Sequence, residues 1–171
     1  MGNLKKVPCK KCSLGTIGKG VVKSWGKPSA PILILLDNPS SVDETGGRLM
    51  FGPEGQLLEI LFADAFRILK IEPLDIFVTS IVRCRPVDIK RGPTREPNSN
   101  EILACTNRVL TVMHKTRHKY IFLIGKVVQK FYKKEYPDAA VLQPIRFLLK
   151  QGGKASPWYN SNLRIILETL T

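Results

Sequence analysis

The feature that most constrains the fold is a run of five apolar residues, Ile32–Leu36, which stops abruptly at Asp37 and Asn38. A strand without a polar face is typical of a parallel sheet that helices cover on both sides. The polar end of this strand has two interpretations. Either Asp37 or Asn38 bonds to local backbone amides in a turn, or both side chains belong to a site at the carboxyl end of the strand.

Further apolar runs alternate along the chain with segments of helical periodicity. Strands are expected at residues 32–36, 75–82, 119–125 and 139–145, with helices at residues 56–69, 98–113, 126–132, 146–150 and from residue 161 onward. Strands that alternate with helices predict an α/β fold, a three-layer α/β/α sandwich around a mostly parallel four-stranded sheet. We expect one domain over residues 1–171, in which residues 1–29 form an irregular N-terminal arm.

The chain carries 27 Lys and Arg residues against 14 Asp and Glu residues, which gives a formal net charge of +13. This excess favours a polyanionic partner, above all nucleic acid. A generally basic protein, or one that binds an acidic membrane or an acidic protein, would have the same balance. We expect phosphate contacts in the polar loop after the second strand. The basic residues of that loop are Arg83, Arg85, Lys90, Arg91 and Arg95.

The hydrophobic pattern bears on location. No apolar run reaches the length of about 18 residues that a membrane-spanning helix needs. The N-terminus is basic, but the apolar segment of a signal peptide does not follow it. We therefore expect an intracellular protein, in the cytoplasm or nucleoid, without a membrane partner.

Four cysteines are the next signal: Cys9 and Cys12 form a C-x2-C pair in the arm, Cys84 follows the second strand, and Cys105 lies in a predicted helix. Disulfides are not expected in a reducing compartment. A C-x2-C pair offers two thiolates to a metal, and two further cysteines would complete a four-thiolate site for zinc or an iron–sulfur cluster. The alternative is two buried structural thiols and a chance pair. The spacing does not distinguish zinc from iron.

Several motifs follow one another in a characteristic order over residues 9–150. They are the C-x2-C pair, GRLMFGPEGQLL, FVTSIVRCRP, EILAC and IFLIG. In this order they resemble the iron–sulfur uracil-DNA glycosylases, the family-four branch of the uracil-DNA glycosylase superfamily. The resemblance implies a [4Fe-4S] cluster rather than zinc on the four cysteines, and single- or double-stranded DNA as the partner. It also implies the reaction, in which a uracil is extruded into a pocket and its N-glycosidic bond is hydrolysed.

The resemblance assigns catalytic roles to the polar end of the first strand. Asp37 stands where the family has Glu, and it is a shorter carboxylate that still suits a general base. Asn38 stands where the family has a small residue, while related branches of the superfamily place an Asn there to position the water. The resemblance therefore implies that Asp37 and Asn38 together hold the nucleophilic water.

The base pocket implied by the resemblance departs further from the family. Met50, with Phe51 beside it, replaces an aromatic residue that stacks on the uracil, so much of the stacking is given up. Ser80 replaces the Asn that reads the uracil edge, and a hydroxyl does not supply the paired donor and acceptor of an amide. Gln143 replaces the His that stabilises the departing base, and it cannot become a cation.

Two functions follow from these departures. The first is a DNA glycosylase with relaxed or shifted base choice, which excises uracil or a modified pyrimidine. The second is a non-catalytic DNA-binding or replication-associated protein, or a protein-interaction module, that keeps the glycosylase fold and the cluster. The sequence leaves open whether the chain is an enzyme.

Overall fold

A five-stranded sheet forms the centre of the computed structural model, which describes residues 9–115 and 118–171. Its strands are β1 (Trp25–Gly26), β2 (Ile32–Leu36), β3 (Ile76–Ser80), β4 (Tyr120–Ile124) and β5 (Ala140–Leu142). They follow the order β1-β3-β2-β4-β5 across the sheet. β1 runs antiparallel to β3, and the other neighbouring pairs are parallel. The central strand β2 thus has parallel neighbours on both sides, as its unbroken apolar run predicts.

Helices cover both faces of the sheet. They are α1 (Leu14–Ile17), α2 (Ser41–Gly46), α3 (Pro53–Leu69), α4 (Ser99–Lys115), α5 (Lys126–Tyr132), α6 (Ile145–Lys150) and α7 (Pro157–Leu170), with a turn of 3-10 helix at Gly153–Ala155. α7 begins at Pro157 rather than at residue 161, because the Ser156 hydroxyl accepts a hydrogen bond from the Trp158 N–H and proline suits the first helical position. Among the described residues, no helix combines the length and the apolar character that crossing a membrane requires.

Alternate side chains of β2 enter two separate hydrophobic clusters, one on each face of the sheet. Ile32, Ile34 and Leu36 pack with α3, α6 and α7. Leu33 and Leu35 pack with α4 and α5. All side chains of β2 are buried, which is why the run contains no polar residue. The predicted α/β/α sandwich is confirmed.

The sheet has five strands rather than the four predicted, because β1 is too short to produce an apolar run. Trp25 and Gly26 pair antiparallel with Val78 and Phe77 at the edge of the sheet. Gly26 has a φ of +86°, and a Cβ there would lie 1.9 Å from the Ile76 carbonyl oxygen. This close approach requires a glycine.

The N-terminal arm is more regular over residues 9–29 than the sequence predicted. It contributes both α1 and β1 to the fold. Leu14 of α1 is fully buried in the cluster that covers the α4 face of the sheet. Residues 1–8 of the arm lie outside the described residues.

Candidate active site

The carboxyl ends of β2 and β4 bring Asp37 and Gly125 together, because Leu36 and Ile124 are paired in the ladder. The Asp37 carboxylate accepts a hydrogen bond of 2.6 Å from the Val128 N–H at the start of α5. Gly125 leaves room for this contact: its φ is +127°, and an added Cβ would lie 2.3 Å from the Asp37 carboxyl carbon. Any other residue at this position would displace the carboxylate.

The environment of Asp37 changes its proton affinity. Burial raises the pKa of Asp37 above its ordinary value of 3.8, and the negative charge of Glu96 adds to the rise. The backbone N–H groups of Val128, Val127 and Lys126 lower the pKa, because they stabilise the carboxylate. Burial outweighs these donors. A carboxylate with a raised pKa is a stronger proton acceptor, which suits it to general-base chemistry.

The polar end of β2 also contains a turn. The Asn38 side-chain NH2 donates to the Pro39 carbonyl oxygen at 2.9 Å, a local bond to a carbonyl rather than to the backbone amides that a turn predicts. Ser40 then caps α2 through a capping box with Asp43. At this strand end, Asn38 therefore bonds locally, whereas Asp37 reaches across to α5.

A pocket of about 210 Å³ opens beside Asp37. Leu36 and Ile124 form an apolar wall, and Asp37, Asn38 and Met50 line the same pocket. The structure thus brings together both candidate catalytic residues and one of the candidate base-pocket residues. A concave site with an apolar wall, a few polar groups and a carboxyl group of perturbed pKa is typical of a site that binds a small molecule or a base.

Met50 is held at the pocket by the backbone around it. It is buried and has a φ of +53°, a left-handed conformation that is uncommon for a residue with a side chain. Arg48 donates to the Met50 carbonyl oxygen at 3.3 Å. Gly55 packs so closely that an added Cβ would lie 2.0 Å from the same oxygen. The glycine-rich segment of the sequence therefore positions the Met50 side chain.

In the part of the chain that the structure describes, the other three candidate base-pocket residues, Phe51, Ser80 and Gln143, do not line this pocket. Phe51 is exposed, with its ring 5.6 Å from the Arg48 guanidinium. Ser80 is buried, and its hydroxyl donates to a backbone carbonyl oxygen at 2.7 Å. Gln143 is exposed. Their roles in stacking, reading or releasing a base stay predictions.

Three charged residues that sequence reasoning missed also line the pocket: Asp43, Glu54 and Arg146. Asp43 is engaged in the capping box of α2. The Arg146 Nε lies 2.9 Å from a Glu54 carboxylate oxygen, so an ion pair joins the start of α6 to the start of α3. The two residues are far apart in the sequence, and no motif pairs them. The available signals were that Glu54 lies within the GRLMFGPEGQLL motif and that Arg146 closely follows Gln143, which the family resemblance had singled out.

The basic loop after β3 contains two arginines with partners inside the protein. Arg85 is buried, and its Nε lies 2.8 Å from a Glu44 carboxylate oxygen. Arg95 lies 2.6 Å from Asp88 and 2.7 Å from Glu101, and its hydrogen bonds to Glu101 raise its pKa. The buried, paired Arg85 guanidinium does not reach an external phosphate, so the expected DNA contact of Arg85 does not match its position. The Arg95 side chain is partly exposed, and its contact with DNA stays a prediction.

Exposed basic residues of the same loop surround a larger cavity. Lys90 and Arg91 line this cavity of about 720 Å³, together with Lys19 from the arm. Thr94 lines both the larger cavity and the pocket beside Asp37, so the two spaces are adjacent. A cavity with several basic groups attracts anions.

The four cysteines approach one another from three segments of the chain. Cys84 is buried in the cluster on the α4 face, and Cys12 and Cys105 pack against that cluster. Burial raises the pKa of Cys84 to about 12, and the nearby Cys105, Cys9 and Cys12 thiols add to the rise. Within residues 9–115 and 118–171, no three Cys, His, Asp or Glu side chains form a group that would hold a single metal ion.

Two arginines beside the cysteines have buried N–H groups that lack a hydrogen-bond partner among the described residues. These groups are the Nε–H of Arg83 and of Arg108. Burial and the positive charge of Arg83 lower the pKa of Arg108 to about 10, while the charge of Cys105 acts in the opposite direction. A buried donor without a partner is costly, so this place favours a group that accepts hydrogen bonds.

These features define a class of protein: a parallel α/β domain with a carboxylate and a pocket at the carboxyl end of its central strand, and with cysteines gathered on one face. A family model described as the uracil DNA glycosylase superfamily matches residues 23–168. The chain belongs to the uracil-DNA glycosylase superfamily. The family predicted from the motifs is confirmed.

Three curated relatives carry the name type-4 uracil-DNA glycosylase. The one from Sulfurisphaera tokodaii is 28% identical over 95% of this chain and 76% of its own length. The one from Saccharolobus solfataricus is 30% identical over 69% of this chain and 51% of its own length. The one from Pyrobaculum aerophilum is 28% identical over 71% of this chain and 58% of its own length. The matches to the last two relatives thus span little more than half of each.

Proposed function

We propose that this chain is a DNA glycosylase that hydrolyses the N-glycosidic bond of uracil or of a modified pyrimidine. The observation that carries the proposal is the partly buried Asp37 carboxylate, which the Val128 N–H holds at the wall of a pocket. Membership of the superfamily and the names of the relatives support the same reaction.

In the proposed reaction, a base leaves the DNA stack and enters the pocket between Met50 and the apolar wall. The Asp37 carboxylate takes a proton from a water molecule while the water oxygen forms a bond to the anomeric carbon of the sugar. The bond between that carbon and the base nitrogen breaks, and its electron pair leaves with the base. Asn38 helps to position the water.

DNA is the proposed partner, and the exposed basic residues are its proposed contacts. The cavity lined by Lys19, Lys90 and Arg91 adjoins the base pocket. When a base occupies the pocket, the phosphates of the neighbouring nucleotides would lie near these positive charges. The net charge of +13 favours the same partner. Arg85 supports this loop from within. A protein that acts on DNA works inside the cell, in the cytoplasm or nucleoid.

A [4Fe-4S] cluster is the proposed cofactor. Its ligands would be Cys9, Cys12, Cys84 and Cys105. Each thiolate of such a cluster binds a different iron atom, so the four sulfur atoms do not have to meet at one point as they do around zinc. The partnerless Nε–H groups of Arg83 and Arg108 fit this assignment, because the sulfur atoms of a bound cluster accept hydrogen bonds. A bound cluster would tie the arm to the sheet.

Iron and sulfide analysis of the purified protein tests the cofactor. We expect a brown protein with about four iron atoms and four sulfides per chain. Cys84→Ser should lose most of the iron and the colour, because it removes a buried ligand. A colourless protein that contains zinc would contradict the assignment.

A cleavage assay tests the reaction. Labelled oligonucleotides that carry uracil, 5-hydroxymethyluracil, hypoxanthine or xanthine are incubated with the protein, and alkali then breaks the strand at abasic sites. We expect strand breaks with the parent protein and at least about a hundredfold slower cleavage with Asp37→Ala, the loss typical of a removed general base. Absence of cleavage on every substrate, in a protein that binds the same DNA, would refute the glycosylase.

A second candidate function is a non-catalytic DNA-binding module. The positions of Ser80 and Gln143 favour this function. These residues occupy the places of the family's base-reading Asn and base-releasing His, and neither is among the described residues that line the pocket. This function predicts an affinity that ignores the identity of the base and falls steeply with salt. Binding that depends on the base would contradict it.

A further inference from the structure

We propose that Glu54 and Arg146 together read the edge of the extruded base, one as hydrogen-bond acceptor and the other as donor. This inference rests on the proposed function, because it requires a base in the pocket beside Asp37. It adds the feature by which the substrate is recognised: a pyrimidine edge on which a ring N–H stands next to a carbonyl, as in uracil and 5-hydroxymethyluracil.

Both side chains line the pocket and contact each other there. Glu54 lies in the first turn of α3, Arg146 lies in the first turn of α6, and the two meet at 2.9 Å. Their side chains are 22% and 46% exposed, respectively, so a ligand has access to both. Because Asp37 lines the same pocket, a base that contacts the pair also lies near the proposed general base.

Buried contacts fix the backbone that presents the pair. Asn162 of α7 is fully buried, and its side chain accepts from the Gln143 N–H at 2.8 Å and donates to the Gln143 carbonyl oxygen at 3.1 Å. These two bonds anchor the turn that leads into α6 and Arg146. Glu54 is anchored by its neighbour Gly55, which packs directly on the Met50 carbonyl. Groups held by rigid neighbours are suited to specific recognition.

Together the two side chains present an acceptor beside donors, which is the pattern of hydrogen-bonding groups that the amide of an Asn presents to a base. The Glu54 carboxylate accepts the ring N–H of the base. Arg146 uses its Nε–H for Glu54, and its terminal N–H groups donate to the adjacent carbonyl. Both hydrogen bonds are charge-assisted and therefore stronger than those of a neutral amide. Cytosine does not fit, because its ring nitrogen carries no hydrogen and would face the carboxylate.

The pair takes over a task for which Ser80 is not available. Ser80 stands at the position of the family's base-reading Asn, but its hydroxyl is buried and donates to the Val82 carbonyl oxygen at 2.7 Å. Arg146 also brings a positive charge to the pocket, whereas the exposed Gln143 is neutral. The reading groups have therefore moved from β3 to the starts of α3 and α6.

Equilibrium binding to non-cleavable oligonucleotides separates base reading from cleavage. Each single-stranded oligonucleotide carries one 2′-fluoro-2′-deoxynucleotide, whose fluorine slows hydrolysis because it destabilises the oxocarbenium-like transition state. The base of that nucleotide is uracil, 3-methyluracil or cytosine. 3-Methyluracil keeps both carbonyls and lacks the ring N–H that Glu54 accepts.

We expect the parent protein to bind the uracil oligonucleotide roughly tenfold or more tightly than the other two, the discrimination of a bidentate pair. Glu54→Ala and Arg146→Ala, which remove the acceptor and the donors, should lose most of this preference and keep the affinity for the cytosine oligonucleotide. Arg146→Lys should retain part of it, since it keeps the charge without the planar fork. The matched control is Asp75→Asn, which breaks an exposed ion pair with Lys27 outside the pocket and should keep the full preference.

Equal affinity of the parent protein for all three oligonucleotides would refute the proposal that Glu54 and Arg146 read the base. Full preference for uracil in the Glu54 and Arg146 variants would refute it as well.

The cleavage assay on ordinary deoxyuridine is scored separately. Cleavage by a parent protein whose variants keep the preference refutes the pair and supports the glycosylase. Selective binding through the pair without cleavage refutes the glycosylase and supports the pair. Thermal melting checks that the variants fold. We expect melting temperatures close to that of the parent protein, because an exposed ion pair contributes little stability.

Discussion

At the scale of single residues, Asp37 combines a structural contact with a proposed chemical role. Its carboxylate accepts the Val128 N–H at the start of α5, and it also lines the pocket. Burial raises its pKa, so keeping the group ionised at neutral pH lowers the stability of the fold. Functional sites often exchange stability for activity in this way.

Replacement of Asp37 by asparagine should reveal this exchange. Between the ordinary pKa of 3.8 and the raised pKa, the folded state binds more protons than the unfolded state, so the Asp37 contribution to stability falls as the pH rises. Asp37→Asn removes the charge and keeps an acceptor for the Val128 N–H. We expect its stability relative to the parent protein to increase from acid to neutral pH, while cleavage is lost. Urea unfolding at several pH values measures the difference, and the opposite trend would contradict it.

Gly125 should be as important to the site as Asp37 itself. Gly125→Ala forces a residue with a Cβ to adopt a φ of +127° and places that Cβ 2.3 Å from the Asp37 carboxyl carbon. We expect a loss of about 1–3 kcal/mol from backbone strain. The displaced carboxylate should also lose its proposed activity. Gly152→Ala is the matched control, because φ there is +97° and the added Cβ would lie 3.8 Å from the Ala155 Cβ, an ordinary contact distance.

Urea unfolding and the cleavage assay together distinguish the two effects at Gly125. The control should lose stability through backbone strain and keep its activity. If Gly125→Ala cleaves as well as Gly152→Ala does, Gly125 is not needed to position Asp37.

At the scale of elements, a buried ion pair joins the arm, α2 and the basic loop. One Glu44 carboxylate oxygen accepts from Arg85 at 2.8 Å, and the other accepts from the Lys19 N–H at 2.9 Å. Arg85 also donates to the Gly92 carbonyl oxygen at 2.8 Å. The loop that carries Lys90 and Arg91 is therefore anchored to the rest of the protein by Arg85, a residue that the sequence predicted to contact DNA.

Breaking this pair from one side should strongly destabilise the protein. Glu44→Gln leaves the Arg85 charge buried without a counter-charge, for which we expect a loss of about 3–5 kcal/mol in urea unfolding. The control is Glu168→Gln on α7, which breaks an exposed pair with Arg164 and should cost less than about 1 kcal/mol. Similar losses in the two variants would mean that the Glu44 pair does not anchor the loop.

At the scale of the whole molecule, the charge of +13 should make DNA binding depend steeply on salt. Each phosphate neutralised contributes about 0.9 to the slope of log affinity against log salt on duplex DNA. Replacing Lys90 and Arg91 by glutamine should therefore lower the slope by up to about 2. Arg164→Gln, an exposed charge on α7, is the control and should leave the slope unchanged. A reduction about half as large in the control, which loses one charge instead of two, would show that binding follows net charge and not the loop.

Local sequence patterns predicted the layers and most of the helices and strands. The apolar run of β2 and the periodicity of α3 and α4 are direct consequences of which faces are buried. β1 was missed because two residues carry no period, and the start of α7 was missed because its capping serine lies outside the apolar pattern. The motifs also predicted the superfamily and the presence of Asp37 and Met50 at one site.

The sequence by itself therefore determined the α/β/α architecture, the superfamily and the carboxylate at the end of the central strand. Each of these depends on a pattern or motif formed by residues that are close together in the sequence. Only the tertiary structure decided which charged side chains are buried, paired or open to a ligand. It placed Arg85 against Glu44 within the protein and brought Glu54 and Arg146 to the pocket wall. Such contacts depend on how separate elements pack, and no local pattern records the packing of α3 beside α6.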